Sequence, residues 1–185
     1  MIKKIFSLLF VLLLLCGCNT TNVNYTYDIK SIDVDMSEYE GVSSTEHMFK
    51  AITSEEFFNC VDNKSSGVFY LGRTNCACCQ TCIKYLNNAA MQLNVPIYYM
   101  DVYDERMPIT DIDLMDKLKI YLFDVMNVVD GEKQLQTPTV FSVINGEIVD
   151  SIICLGNYTW EDEPSYFDEL ILVNRYKSLL KPFAK

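Results

Sequence analysis

From residue 45 onward, short apolar runs alternate with stretches of helical period, and Gly, Pro, Asn or Asp marks most of the boundaries. Met48 to Ile52 reads as a short strand. Thr53-Ser54-Glu55-Glu56 has the form of a capping box, with Thr53 as N-cap and Glu56 reaching back to it. It predicts a helix to about Asp62 that buries Phe57, Cys60 and Val61. Asn63 to Gly67 is a turn, and Gly67 to Leu71 is continuous and aromatic or β-branched, as in a strand covered on both faces. Cys79, Cys82, Ile83, Leu86, Ala90 and Leu93 then recur at i, i+3, i+4, i+7, i+11 and i+14, the apolar stripe of a helix of about fourteen residues. Asn94 and Pro96 end it, and Ile97 to Met100 is a second buried strand running into Asp101. Strand, helix and strand make a βαβ unit with a right-handed crossover, so the C-terminal end of the first strand faces a crevice.

Pro108 and Thr110 introduce another helix whose buried face is Leu114, Leu118, Tyr121, Leu122, Val125 and Met126, ending near Val129 with Asp130-Gly131 as its stop. Thr137-Pro138 precedes an apolar run from Thr139 to Ile144, and Asn145-Gly146 separates that run from Glu147 to Ile153. Asn-Gly between two such runs predicts a hairpin, because a type I′ turn needs positive φ at both positions. Gly156 breaks the strand, and Pro164 suits the first turn of a last helix running to about Leu180.

The chemistry is concentrated where the first buried strand meets the striped helix. Gly72-Arg73-Thr74-Asn75-Cys76-Ala77-Cys78-Cys79-Gln80-Thr81-Cys82 holds four of the chain's 8 cysteines. A C-x-x-C pair at a helix start makes its first cysteine reactive. Unpaired backbone N–H groups and the positive end of the helix dipole favour the thiolate there, and the thiolate is the attacking form. Cys76 occupies that position. Cys82 lies on the buried stripe, either as a small core residue or as a second thiol able to take over the bond from Cys79. Cys78 is expected to be exposed as an accessory thiol, Cys60 and Cys154 to lie in the core, and His47 at the surface. Four clustered thiols also raise zinc or copper binding, but Cys78 points about 100° away from the face of Cys79 and Cys82, and one short run closes a tetrahedron poorly. No metal or other cofactor is expected on this reading.

The first residues bear on compartment. Lys3 and Lys4 precede an apolar run from Ile5 to Leu15, too short to span a bilayer and the right size for the core of a signal peptide. The run closes on Leu15-Cys16-Gly17-Cys18, which resembles the bacterial lipobox. The resemblance implies removal of residues 1–17, lipid attachment to Cys18 and tethering on the extracytoplasmic face of the cell membrane. Residues 18–44, rich in Asn, Thr, Ser and Asp without a sustained period, read as a flexible tether with some local pairing between Tyr25 and Val34. Residues 45–185 form the domain. With half of its residues hydrophobic, the 185-residue chain can bury a core. Its net charge of −10 leaves no basic stripe for nucleic acid.

From Met48 to Leu180, the order βαβ, helix, Thr-Pro, hairpin and final helix, with C-x-x-C opening the second helix, resembles the thioredoxin superfamily. Gly72-Arg73 before the cysteines is similar to the thioredoxin-like bacteriocin transport accessory proteins of Gram-positive bacteria. The resemblance implies an α/β fold with a mixed central sheet of four to five strands flanked by helices, closed by an antiparallel hairpin and a final helix. It implies that Cys76 attacks and Cys79 resolves, and that Thr137 and Pro138, in a cis-proline loop, present backbone to an extended substrate segment. Asn75 stands where thioredoxins carry an aromatic, Tyr70 where they bury an acid, Ala77-Cys78 in place of Gly-Pro, and Lys84 in place of the helix-kinking proline. The expected activity is disulfide exchange with the thiols or disulfides of exported proteins, with a membrane electron donor as a further partner. Reduction, oxidation and isomerisation all stay open, since potentials in such proteins span roughly 7 kcal/mol. A thiolate metal protein and a non-catalytic thioredoxin-like binding module are the rival readings.

Overall fold

Every residue of the strand Gly67–Gly72 is buried, as its unbroken apolar sequence requires. In the computed structural model, which describes residues 23–101, 112–153 and 165–184, this strand lies inside a mixed sheet. The elements are β1 (Ile32–Asp33), β2 (Phe49–Ala51), α1 (Ser54–Asp62), β3 (Gly67–Gly72), α2 (Ala77–Leu93), β4 (Ile97–Asp101) and α3 (Ile112–Tyr121), followed by β5 (Asn127–Val129), β6 (Glu132–Gln134), β7 (Thr139–Ile144), β8 (Glu147–Ile153) and α4 (Tyr166–Leu180). The central sheet runs β1-β2-β4-β3-β7-β8, and β5-β6 form a separate ribbon. β4 is parallel to β2 and β3, whereas β7 is antiparallel to β3 and β8 to β7. The sheet has six strands where four to five were expected, because a two-residue strand from the N-terminal segment pairs with β2.

Side chains alternate across the sheet with period two and split the core. Val68 and Tyr70 of β3, Ile97 and Tyr99 of β4, and Val140 of β7 pack with the buried faces of α2 and α4. Phe69, Leu71, Met100, Phe141 and Val143 pack on the opposite face with Phe57, Phe58 and Cys60 of α1 and Leu118 of α3. Each of the large side chains buried here contributes about 1.5–3 kcal/mol relative to exposure. The register fixes which loops meet: Gly72 pairs with Asp101 and Leu71 with Thr139. The C-terminal ends of β3 and β4 therefore meet the start of β7, and the cysteine loop and the Thr137-Pro138 loop leave the same edge.

The structure differs from several sequence expectations. From Val23 onward the supposed tether lies on the domain, with Ile29, Met36, Tyr39 and Val42 buried. Tyr27 Oη donates to Glu56 Oε2 at 2.8 Å and the Lys30 N–H to the same oxygen at 3.2 Å. Glu56 thus holds the N-terminal segment, while Thr53 Oγ1 accepts from the Glu56 N–H and caps α1 alone. Apart from the two residues of β1 this segment follows other elements, so its apolar residues show no period. The helix expected to reach Val129 ends at Tyr121, and Asn127–Val129 pairs with Glu132–Gln134. Asp130 and Gly131 both take positive φ, so Asp-Gly makes a hairpin turn there and is not a helix stop. α2 runs to seventeen residues and ends at left-handed Asn94. The Asn145-Gly146 hairpin is as expected, with φ of 55° and 83°. Cys16, Cys18, Pro108, Thr110, Cys154, Gly156 and Pro164 lie outside the described residues. Among the described residues no helix is long and apolar enough to cross a membrane.

Candidate active site

The site begins with a glycine. At Gly72 a Cβ would stand 2.2 Å from Tyr70 Cε1 and 2.7 Å from Tyr70 Oη, so only glycine lets that ring fold beneath the end of β3. The chain then turns through Arg73 to Asn75, and the Cys76 N–H bonds back to the Arg73 carbonyl at 3.4 Å. Gln80, in the first turn of α2, fastens this loop. Its Nε2 donates to the Thr74 carbonyl at 2.7 Å and the Glu38 carbonyl at 2.9 Å, and its Oε1 accepts from the Glu40 N–H at 3.0 Å.

Cys76 is the N-cap of α2, in extended backbone, and its Sγ accepts from the Cys79 N–H at 3.4 Å. A sulfur does here what a Ser or Asp oxygen does at most helix starts. Thr137 faces it from the other loop. The Thr137-Pro138 peptide is cis. The Thr137 carbonyl lies 3.5 Å from Cys76 Sγ, within reach of the thiol proton, and Thr137 Oγ1 donates to the sulfur at 3.7 Å. A C-x-x-C cap at the end of a βαβ unit, facing a cis-proline loop that leads into an antiparallel hairpin, decides the architecture. This topology is that of a thioredoxin-like fold.

No family model matches the chain, and neither does any curated protein sequence. Among solved structures, the chain is similar to oxidised thioredoxin O2 from Arabidopsis thaliana, at 17% identity and a TM-score of 0.45, over 77% of this chain and 100% of that one. Thioredoxin from Trypanosoma brucei brucei is 13% identical with a TM-score of 0.45, over 76% and 97% of the two chains. A putative oxidoreductase with a thioredoxin fold is 18% identical with a TM-score of 0.43, over 58% and 83%.

Within this thioredoxin-like scaffold the two cysteines of the pair are held in opposite states. Burial alone raises the Cys76 thiol, but the Cys79 N–H, the Cys79 thiol, Thr137 and the Cys78 N–H all stabilise the thiolate, and the net result lies below the ordinary value. Cys79 is fully buried, and burial pushes its thiol up to about 11 despite partial relief from the Arg73 backbone and the Tyr70 hydroxyl. Cys82 is also fully buried, pushed up to about 12 chiefly by burial, with the Tyr176 hydroxyl as its polar neighbour. Cys78 is half-buried where exposure was expected, and it is disulfide-bonded instead of standing as a free accessory thiol; its Sγ lies 3.9 Å from that of Cys82. Cys60 sits in the other half of the core, under α1, with its thiol raised by burial to about 12. His47 is half-buried, its Nδ1 accepting from the Phe49 N–H at 3.2 Å. The groove lined by Glu40, Gly41, Gln80, Thr81, Lys84, Tyr85 and Glu169 has a volume of about 470 Å³. It lies further along α2, and no sulfur lines it.

The sequence reading placed Cys76, Cys79, Thr137 and Pro138 together, and the structure assembles Cys76 and Thr137 at contact distance. It passed over Gln80, Tyr39, Tyr99 and Asp101. Gln80 stands six residues from the carbonyl it binds, and the tyrosines are apolar positions by pattern; only their position at the functional end of the sheet marks them.

Proposed function

We propose that the chain is a membrane-anchored, extracytoplasmic thiol-disulfide oxidoreductase working through Cys76 and Cys79. The observation that carries this reading is the Cys76 thiol: partly exposed, capping α2, hydrogen-bonded by backbone and by Thr137, and more acidic than an ordinary cysteine. A thiolate in that setting attacks a substrate disulfide and forms a mixed disulfide as the substrate's other sulfur leaves. Cys79, one turn into the helix, then attacks Cys76 Sγ, closing the Cys76–Cys79 bond and releasing the substrate thiol. Two electrons pass from the dithiol to the substrate; the reverse sequence oxidises a substrate dithiol. Thr137 and Pro138 leave a backbone edge beside the sulfur against which an extended substrate segment aligns. The anchoring part rests on the leader and on Cys18.

The test is disulfide exchange by the reduced ectodomain with a peptide disulfide, followed by mass. The reading expects a covalent adduct on Cys76 that accumulates in Cys79→Ser, and no adduct in Cys76→Ser. Full exchange by Cys76→Ser would refute it. For the anchor, the full chain should partition into membranes with acyl label, and Cys18→Ala should abolish the label.

A further inference from the structure

Disulfide exchange through Cys76 and Cys79 uses two of the cysteines at the start of α2 and leaves Cys78 and Cys82 without a part. Cys78 is disulfide-bonded, whereas Cys60, Cys76, Cys79 and Cys82 are free, so the cysteine joined to Cys78 lies outside the described residues. Cys82 follows Cys78 by four residues, the spacing that sets one side chain above the other on a helix. Its Sγ lies 3.9 Å from Cys78 Sγ, so a free sulfur touches a bonded one. That is just beyond the roughly 3–3.5 Å from which well-placed atoms react. Cys76 Sγ, in contrast, is engaged by Thr137 and the Cys79 N–H. Packing at position 82 asks only for a small apolar side chain, whereas a thiol against a disulfide is a nucleophile beside its target.

The product of that attack fits the helix. Residues four apart on an α-helix have Cα atoms about 6.2 Å apart, inside the roughly 4.4–6.8 Å that a disulfide spans. Their Cβ atoms stand about 5–6 Å apart, more than the roughly 3.5–4.5 Å of a relaxed bond, so the local disulfide is a transient one.

We propose that Cys82 and Cys78 form a second exchange couple, in which Cys82 attacks Cys78 Sγ and moves the disulfide from a link between α2 and another part of the chain to a bond within α2. Cys82 S–H gives its proton to hydroxide, and the Cys82–Cys78 bond forms. The bond from Cys78 to its first partner breaks, and that partner's sulfur leaves as a thiolate that takes a proton from water. No electrons enter or leave the chain. The step unfastens the first turn of α2, beside Cys76, from a cross-link, and it is independent of the oxidoreductase reading because neither Cys76 nor Cys79 takes part. Burial holds it slow. Cys82 is fully buried with its thiol pushed up to about 12, and the ionisable groups around it are Tyr176 of α4, Tyr85, Cys79 and Cys76, none of them a cation.

The experiment follows the tryptic peptide Thr74–Lys84, which carries Cys76, Cys78, Cys79 and Cys82, by mass. The full-length protein, purified without reductant, is held with iodoacetamide at several mildly alkaline pH values, so that each released thiol is capped, and circular dichroism confirms the fold at each. At the outset the peptide should be linked through Cys78 to a second peptide. The linked form should then give way to free Thr74–Lys84 with an internal Cys78–Cys82 bond, at a rate rising about tenfold per pH unit, as a thiolate formed near pH 12 requires. Cys82→Ala should keep the linked form throughout. A linked form that persists in the folded parent, a rate independent of pH, or equal conversion in Cys82→Ala overturns the couple while leaving the oxidoreductase reading standing. Absence of the linked form at the outset also overturns it.

Discussion

Cys76 and Cys79 are one helical turn apart, yet the protein treats their protons in opposite ways. Burial disfavours the thiolate at both positions. At Cys76 two backbone N–H groups, the Cys79 thiol and Thr137 outweigh it. At Cys79 the Arg73 backbone and the Tyr70 hydroxyl do not, and a Cys76 thiolate opposes a second charge. A helix start therefore does not acidify every cysteine near it; what decides is how many donors point at the sulfur and how much water it has lost. The consequence is an order of events. As pH rises the outer thiol ionises first and the inner one later, held back chiefly by burial.

The largest break in this comparison is Cys76→Ser, expected to lower the rate of attack on a disulfide by about three orders of magnitude or more, measured by single-turnover exchange. Cys79→Ser should leave attack intact and stop the cycle at the mixed disulfide, seen as a stable mass adduct. The two thiols should next separate by pH. Alkylation of Cys76 should saturate below the pH at which an ordinary cysteine does, while Cys79 labels only near pH 11.

Stability follows with a change of sign. Cys76 has a folded-state value below its unfolded one, so the reduced protein should gain stability as pH rises from that lowered value toward the ordinary thiol range of about 8.5–9. Above that range Cys79, Cys82 and Cys60 hold protons that the unfolded chain releases, so stability should fall through about 11 to 12. Urea unfolding of the reduced protein across this range checks both slopes, and monotonic behaviour would contradict the contrast. Removing a single donor should do least. Thr137→Val should raise the Cys76 thiol and slow attack less than about tenfold, given its long 3.7 Å contact. Gln80→Ala should cost about 1–2 kcal/mol of stability through the loop it fastens, with Cys79 unaffected.

Much of this was legible from local pattern. Unbroken runs located β3, β4 and β7, the i, i+3, i+4 stripe placed α2 under its cysteines, and Asn145-Gly146 set the hairpin. Thr137-Pro138 was found beside Cys76 only because the order of elements resembled a known superfamily; sixty residues of sequence separate the two. The N-terminal segment was misread because Met36, Tyr39 and Val42 have no partners near them in sequence and bury against elements formed later. Asp130-Gly131 was misread because a helix stop and a hairpin turn use the same residues, and only the strand pairing across them tells which.

By itself the sequence determined the alternation of elements, the cysteine pair at a helix start and the apolar faces, because these depend on backbone propensities and on spacings of a few residues. The tertiary structure alone decided the protonation of the cysteines and the company of the tyrosines. Tyr39, Tyr70, Tyr99 and Asp101 come from three separate segments, and only the parallel register of β3 and β4 stacks Tyr70 on Tyr99 beneath Cys79. A thiol's acidity is set by the water it loses and the donors it gains, and both are supplied by residues that no local pattern can name.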